Sequence, residues 1–289
     1  MDKIVGLGEV LWDIFHDGSV LGGAPGNFAI HANSLGYKGV VISAIGNDEL
    51  GEKAKEIFKS RGLLTILPKV NYPTGTVVVD LDKEGKATYK FTKESAWDYL
   101  KMTKEMEKIA SECSVVCFGS LGQCSRVSRD TIYSFLENTK DSCIRIFDIN
   151  IREKYYSKEI IENSLNYATV LKLNDEELPL LVELFNLQTS ENETLKYLKS
   201  RYGLDLIIVT KGSHGSLLYR SETDKSIIVP PKTEVVDTVG AGDSFTAVVA
   251  AGLLKGNDLE VINREANRVA AFVCKHKGAT PDVSEVLKN

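Results

Sequence analysis

Asp237-Thr238-Val239-Gly240-Ala241-Gly242-Asp243 joins a run of small residues to a carboxylate, and an apolar stretch over 245–254 follows at once. Small residues that open a helix leave backbone N–H groups pointing at a common spot, where the helix dipole also favours an anion. Gly240, Ala241 and Gly242 therefore suit a phosphate. A carboxylate is out of place for anion binding alone, but Asp243 is well placed to take a proton from a hydroxyl attacking phosphorus. The plainer alternative is a Gly-rich turn with Asp243 as a helix N-cap. A second small-residue turn, Gly22-Gly23-Ala24-Pro25-Gly26-Asn27, also precedes a helical pattern, with Pro25 suited to the first turn. There Asn27 offers one acceptor and two donors, and Asp13 adds a carboxylate that accepts from paired hydroxyls, a set that suits a polyol. Taken singly, the two read as a loop acid and a helix-start amide.

The elements that must position these groups alternate between short β-branched runs and amphipathic segments. Residues 3–10 read as a strand before a helix at 27–35, and 40–45 as a strand before a helix at 49–61. The pattern repeats at 114–118 and 130–138, 145–148 and 159–167, and 169–173 and 175–185, with a helix at 192–202 before a strand at 206–210. Gly36 and Gly62 fall just past two helices, and Asp48 stands as an N-cap. Such alternation predicts an α/β fold with a mainly parallel sheet covered by helices on both faces. One segment departs from it: 76–81 and 86–91 are extended runs joined by Asp82-Lys83-Glu84-Gly85, a β-hairpin with no helix to cover it. Its Tyr89 and Phe91 share one face, opposite Thr88 and Lys90, so the apolar side must meet a ligand, a second subunit or the main body. No internal repeat or Pro/Gly-rich linker divides the chain, which reads as one large domain over 1–289 with a small β lid.

Bulk composition excludes several classes. With 289 residues and a formal net charge of -5 the chain can bury a large core but shows no electrostatic footprint for nucleic acid. Its five cysteines, Cys113, Cys117, Cys124, Cys143 and Cys274, lack metal-ligand pairing and read as reduced, mostly buried thiols. The N-terminus has no signal-peptide core, and no apolar run approaches the ~20 residues of a membrane span, so a cytoplasmic location is expected.

The glycine motifs, in this order and at this separation, resemble those of the ribokinase-like (PfkB) carbohydrate kinases, and the resemblance covers essentially the whole chain. It includes Gly22-Gly23 with Asn27, Asp148-Ile149-Asn150-Ile151-Arg152, Asn174-Asp175-Glu176-Glu177, Thr210-Lys211-Gly212-Ser213-His214-Gly215, and the signature ending at Asp243. The resemblance implies a ribokinase-like three-layer αβα fold with lid segments at approximately 12–20 and 71–98. It implies that Asp243 is the catalytic base and that Gly240, Ala241 and Gly242 stabilise the moving phosphoryl group. Sugar would meet Asp13, Gly22, Gly23, Asn27, Phe91 and Arg152. ATP would lie along Asn174, Lys211, Gly212, Gly215 and Asn267, with Mg²⁺ held through water by Asn174 and Glu177. A monovalent cation, K⁺, would sit on main-chain oxygens around Asp237, Val239 and Gly278.

Each of these positions has a bland counterpart: a helix-start amide for Asn174, a surface acid for Glu177, a solvated amine for Lys211, an amphipathic-helix amide for Asn267 and a structural ion pair for Arg152. Resemblance is strongest to bacterial fructokinases, through Gly8-Glu9-Val10-Leu11-Trp12-Asp13, the Gly22–Asn27 turn and Ser95-Ala96-Trp97-Asp98. It implies phosphorylation of fructose at O6, with Trp12, Trp97 and Phe91 shaping the pocket. Ribose, 2-keto-3-deoxygluconate and other small sugars stay open. In the family the lid hairpins of two subunits often pair, which implies a homodimer through the face bearing Tyr89 and Phe91. Two other classes are weighed: a sensor that has lost the chemistry, against which the retained Asp243 argues, and a dinucleotide oxidoreductase, for which the glycine spacing after residue 6 is wrong.

Overall fold

The computed structural model describes residues 1–81, 87–230 and 232–288, with the backbone alone at 79–81 and 87–89. In chain order the strands and helices are β1 Lys3–Leu7, β2 Leu11–Phe15, β3 Gly18–Gly22, α1 Ala24–Ser34, β4 Lys38–Ile42, β5 Ile45–Gly46, α2 Glu49–Ser60, β6 Leu64–Ile66 and β7 Lys69–Val70. There follow β8 Gly75–Leu81, β9 Ala87–Phe91, α3 Lys104–Glu112, β10 Val115–Phe118, α4 Arg126–Glu137, β11 Ile144–Asp148, α5 Lys158–Tyr167, β12 Val170–Asn174 and α6 Glu177–Leu184. The chain closes with α7 Glu191–Tyr202, β13 Leu206–Thr210, β14 Ser216–Tyr219, β15 Lys225–Ile228, α8 Ala241–Leu254 and α9 Leu259–Cys274.

The main sheet runs β15-β14-β13-β12-β11-β10-β1-β4-β6 and is parallel from β13 to β6, with β14 and β15 added antiparallel. Its strands are apolar on both faces because both are covered. Val5, Leu7, Val116, Phe118, Phe147, Leu171 and Ile207 meet side chains of α3 to α7. Their neighbours of opposite parity, Ile4, Val115, Ile146, Val170 and Ile208, meet α1, α8 and α9. The result is the expected three-layer αβα arrangement. Each fully buried aliphatic side chain in it stabilises the fold by ~1.5–3 kcal/mol. The capping signals hold as well: Asp48 accepts from Gly51 N at 2.8 Å, while Gly36 (φ 88°) and Gly62 (φ 79°) take the left-handed turns past their helices.

The lid is a second sheet in the order β3-β2-β8-β9. Its register pairs Asp13 with Val20 and Val77, Leu11 with Gly22 and Gly75, and Val77 with Phe91, so Asp13, Gly22 and Phe91 share one face. Phe91 packs edge-on against Tyr155 at 4.9 Å and joins a cluster of Leu11, Val77, Trp97 and Leu121. That corrects one expectation: the Phe91 face is turned toward the chain's own body, not outward to a partner. The hairpin loop at 82–85 and the side chain of Tyr89 lie outside the described residues. The five cysteines are free, with Cys113, Cys117 and Cys143 buried. Among the described residues no helix is long and apolar enough to cross a membrane.

Candidate active site

Parallel strands deliver their C-terminal ends to one edge of the sheet, and the sequence motifs collect there. α8 is capped by Gly240 in the left-handed conformation (φ 78°) with no side-chain cap, so its first turn keeps the character of an anion site. Gly240 is needed twice over, since a Cβ there would also strike the carbonyl oxygen of Ala279. Asp237 ties this loop to the next: its Oδ1 accepts from Val239 N and its Oδ2 from Gly278 N, both at 3.0 Å. His31 adds a buried clamp, its Nε2 2.9 Å from Ala279 O. Burial lowers that ring to about 4, so it is neutral at working pH. The N–H of Ala241 already donates to Thr238 O at 3.3 Å, which leaves the turn's phosphate-facing role mainly to its neighbours.

Asp243 stands in the first turn of α8 and not at the N-cap, which is Gly240. Its Oδ2 accepts a 2.9 Å hydrogen bond from Asn27 Nδ2 on α1. Asn27, expected among the sugar ligands, therefore holds the Asp243 carboxyl. Burial lifts Asp243 to about 6; the Asn27 hydrogen bond opposes this, Asp148 adds to it, and Lys172 and Arg152 pull back. A carboxyl titrating there would suit a general base working near neutral pH.

Beneath it lies an ion pair that the motif reading did not single out. Lys172, in the middle of β12, is buried with its Nζ 3.0 Å from Asp148 Oδ1 at the end of β11. Burial pushes Lys172 down, but Asp148 and then Glu177 outweigh it and hold the amine charged. The same Nζ lies 3.4 Å from where a Cβ on Gly242 would project, so a fixed positive charge backs the start of α8. A lysine inside an otherwise apolar strand was the signal. The other group missed is Glu9, an acid directly after a buried strand and itself only 3% exposed. Burial raises it to about 7, and it lines one small cavity with Asp243, Asp148 and Asn150.

Asn174 and Glu177 are locked together. Asn174 Oδ1 accepts from the N–H groups of Glu176 and Glu177, while Glu177 accepts from Ile151 N and Asn174 N at 2.8 Å each. Glu177 is thus buried and not a surface acid. No group of three His, Cys, Asp or Glu able to hold a metal directly exists among the described residues. The pair would suit a hydrated divalent cation at second remove, held through water and not by direct ligation.

Asp13 is half-buried, its carboxyl raised by burial and lowered by Arg152. Gly22 lies against it, because a Cβ there would sit 2.7 Å from Asp13 Oδ2. Arg152 is exposed, bonds Ile151 O at 3.0 Å and forms no carboxylate ion pair among the described residues, so the structural-pair alternative fails. Its charge nonetheless reaches Glu9, Asp13 and Asp243 together.

Other expectations part from the structure. Lys211 is not a free solvated amine: its partly exposed Nζ pairs with Glu191 at 2.8 and 2.9 Å. Gly212 (φ 51°) and Gly215 (φ 102°) do shape the turn after β13. Asn267 is buried, its Nδ2 bonded to Ser216 Oγ at 2.7 Å and to Asn263, so its amide joins α9 to β14 instead of lying on an open face. Trp12 is core: it points away from the Asp13 face, packs with Ala54 and Phe58, and donates to Leu50 O at 3.1 Å. Trp97 does lie beneath the lid, its indole occupying the space any Cβ on Gly75 would need.

An uncharacterized sugar kinase of Pyrococcus horikoshii is 31% identical over 284 residues, covering 92% of this chain and 85% of that protein. A fructokinase of Salmonella typhimurium is 28% identical over 269 residues, covering 87% and 84%. The crystal structure of a fructokinase from Xylella fastidiosa with bound ATP shares the fold, with a TM-score of 0.87 at 21% identity over 99% of this chain and 97% of that one. The profile of the pfkB family carbohydrate kinases matches residues 7–286 and spans every group described above, so the chain belongs to that family and is a sugar phosphotransferase.

Proposed function

We propose that the protein transfers the γ-phosphate of ATP to O6 of D-fructose. The observation that carries the reading is the base in its anion site: Asp243 stands in the first turn of an uncapped helix, oriented by Asn27, with Lys172 fixed behind it. Asp243 takes the proton of the accepting hydroxyl as its oxygen meets the phosphorus, while the start of α8 stabilises the charge on the moving group. Asp13, Gly22, Phe91 and Arg152 surround the place the sugar would take, and the turn of Gly212 and Gly215 borders that of the nucleotide. Lid closure over the bound sugar would exclude water, which would otherwise consume ATP.

Asn174 and Glu177 would hold hydrated Mg²⁺, whose charge neutralises the nucleotide phosphates. K⁺ would sit on main-chain oxygens of the loops at Asp237, Val239 and Gly278. Fructose is favoured over ribose and 2-keto-3-deoxygluconate by the Gly8–Asp13, Gly22–Asn27 and Ser95–Asp98 motifs and by relatives named fructokinase. A homodimer through the lid belongs to the same reading, and light scattering that shows only monomers would reject it.

The test is a coupled assay of ADP release with ATP and Mg²⁺ across fructose, ribose, 2-keto-3-deoxygluconate and other sugars. Fructose-dependent turnover supports the proposal. Turnover with another sugar only would keep the kinase and discard the substrate, and none with any sugar would favour a sensor.

A further inference from the structure

Glu9 is an acid of the cleft to which the transfer assigns no task. It follows β1, and buried carboxylates ordinarily have both oxygens satisfied, as in Glu177. Glu9 differs, because its Oε2 is buried with no hydrogen-bond partner among the described residues. Two features connect it to the base. Backbone N–H groups of Glu9 itself and of Ala24 lie within reach of its carboxyl. Ala24 opens α1, whose N-cap, Gly23, has no side chain to cap with, so the Glu9 carboxyl stands beside an otherwise uncapped helix end. Asn27, in the next turn, is the residue that holds Asp243. The second connection is direct: Glu9 and Asp243 face one cavity of ≈ 10 Å³, bounded also by Asp148, Asn150 and Cys117. That space is about the size of one water.

We propose that the carboxyls of Glu9 and Asp243 titrate as a single pair across this cavity, with Glu9 a positioning residue that sets when Asp243 is free to take the hydroxyl proton. The link to the hydroxyl rests on the kinase reading above; the pairing does not. Arg152 favours the ionised form of both groups, Lys172 that of Asp243, and Asp148 opposes ionisation of Asp243. Asp13 feels the same Arg152, and the thiols of Cys117 and Cys124 are pushed up in part by Glu9. Within this set, whichever of the two carboxyls loses its proton second does so against the charge of the first, so the steps belong to the pair.

Infrared difference titration of the full chain without substrate tests this on wild type, Glu9→Gln and Asp243→Asn. Wild type is expected to lose two protonated-carboxyl bands in successive steps between about pH 5 and 8. Glu9→Gln should delete one step, and Asp243→Asn should lower the midpoint of the remaining Glu9 band by about half a unit or more. A Glu9 band lost near the ordinary Glu value, or a midpoint unmoved in Asp243→Asn, would overturn the pairing even if no sugar is ever turned over. With a sugar in hand, the acid limb of kcat/KM should narrow in Glu9→Gln to a single ionisation with KM little changed. A limb of unaltered slope and midpoint would refute the positioning role. Should Glu9→Gln not fold, the Asp243→Asn titration still decides the matter.

Discussion

Asp243→Asn keeps the shape of the side chain and an acceptor oxygen for Asn27, and removes only the capacity to take a proton. Turnover should fall ~10²–10⁴-fold, the range that general-base catalysis contributes. KM for both substrates should stay within a few-fold, since the carboxylate acts on the transition state. Stability should move the other way. Burial lifts this carboxyl from 3.8 to about 6 in the folded chain. A group raised in this way favours the folded state fully only below about 3.8, and that advantage is lost as the pH climbs through about 6. A shift of roughly two units corresponds to up to about 3 kcal/mol, less because one side of the carboxyl is open to the cleft and screened by water. The stability of Asp243→Asn relative to wild type should therefore grow by ~1–3 kcal/mol between about pH 4 and 8, or several degrees in melting temperature. Thermal melts across that range, paired with steady-state assays, measure both effects. A stability difference that does not change with pH would refute the argument that this carboxyl is destabilised by burial. A loss of turnover under about tenfold would place the base elsewhere.

The Asn27 hydrogen bond favours the charged form of Asp243, so Asn27→Leu should raise the acid limb of kcat/KM by about one pH unit while leaving activity above the limb largely intact; a pH–rate profile checks it. Lys172→Met strands Asp148 as an unpaired buried charge and should cost ~3–5 kcal/mol by denaturant unfolding, with most of it restored when Asp148→Asn is added. Gly240→Ala should lower turnover more than tenfold and destabilise by about 2 kcal/mol or more, because a left-handed residue and a carbonyl clash are both involved. Gly36→Ala, equally left-handed (φ 88°) but with nothing within 4 Å of the added carbon, should cost only ~1–2 kcal/mol and leave turnover alone.

Elements set by short-range rules were legible in the chain. The strand at 206–210 has the predicted ends, and the helix at 49–61 ends one residue earlier than read, with Asp48 at its cap, because apolar period, capping side chains and turn glycines act over a few neighbouring residues. The Gly-rich opening of α8 with its carboxylate was legible for the same reason, and with it the chemistry. Tertiary structure decided what depends on distance and burial. Asn27 and Asp243 are 216 positions apart, and no local pattern says that an amide on one helix holds a carboxylate on another. Lys172 lies inside a segment read only as a strand, and Glu9, just past β1, stands in a motif that gives it no role; their charges gained meaning when the sheet brought them beneath one helix end and removed them from water. Trp12 and Asp13 are neighbours that a strand turns to opposite faces, and only the packing of the lid shows which one looks into the cleft. Propensity and pattern are properties of a segment, whereas desolvation and the Coulomb field of distant groups belong to the folded whole.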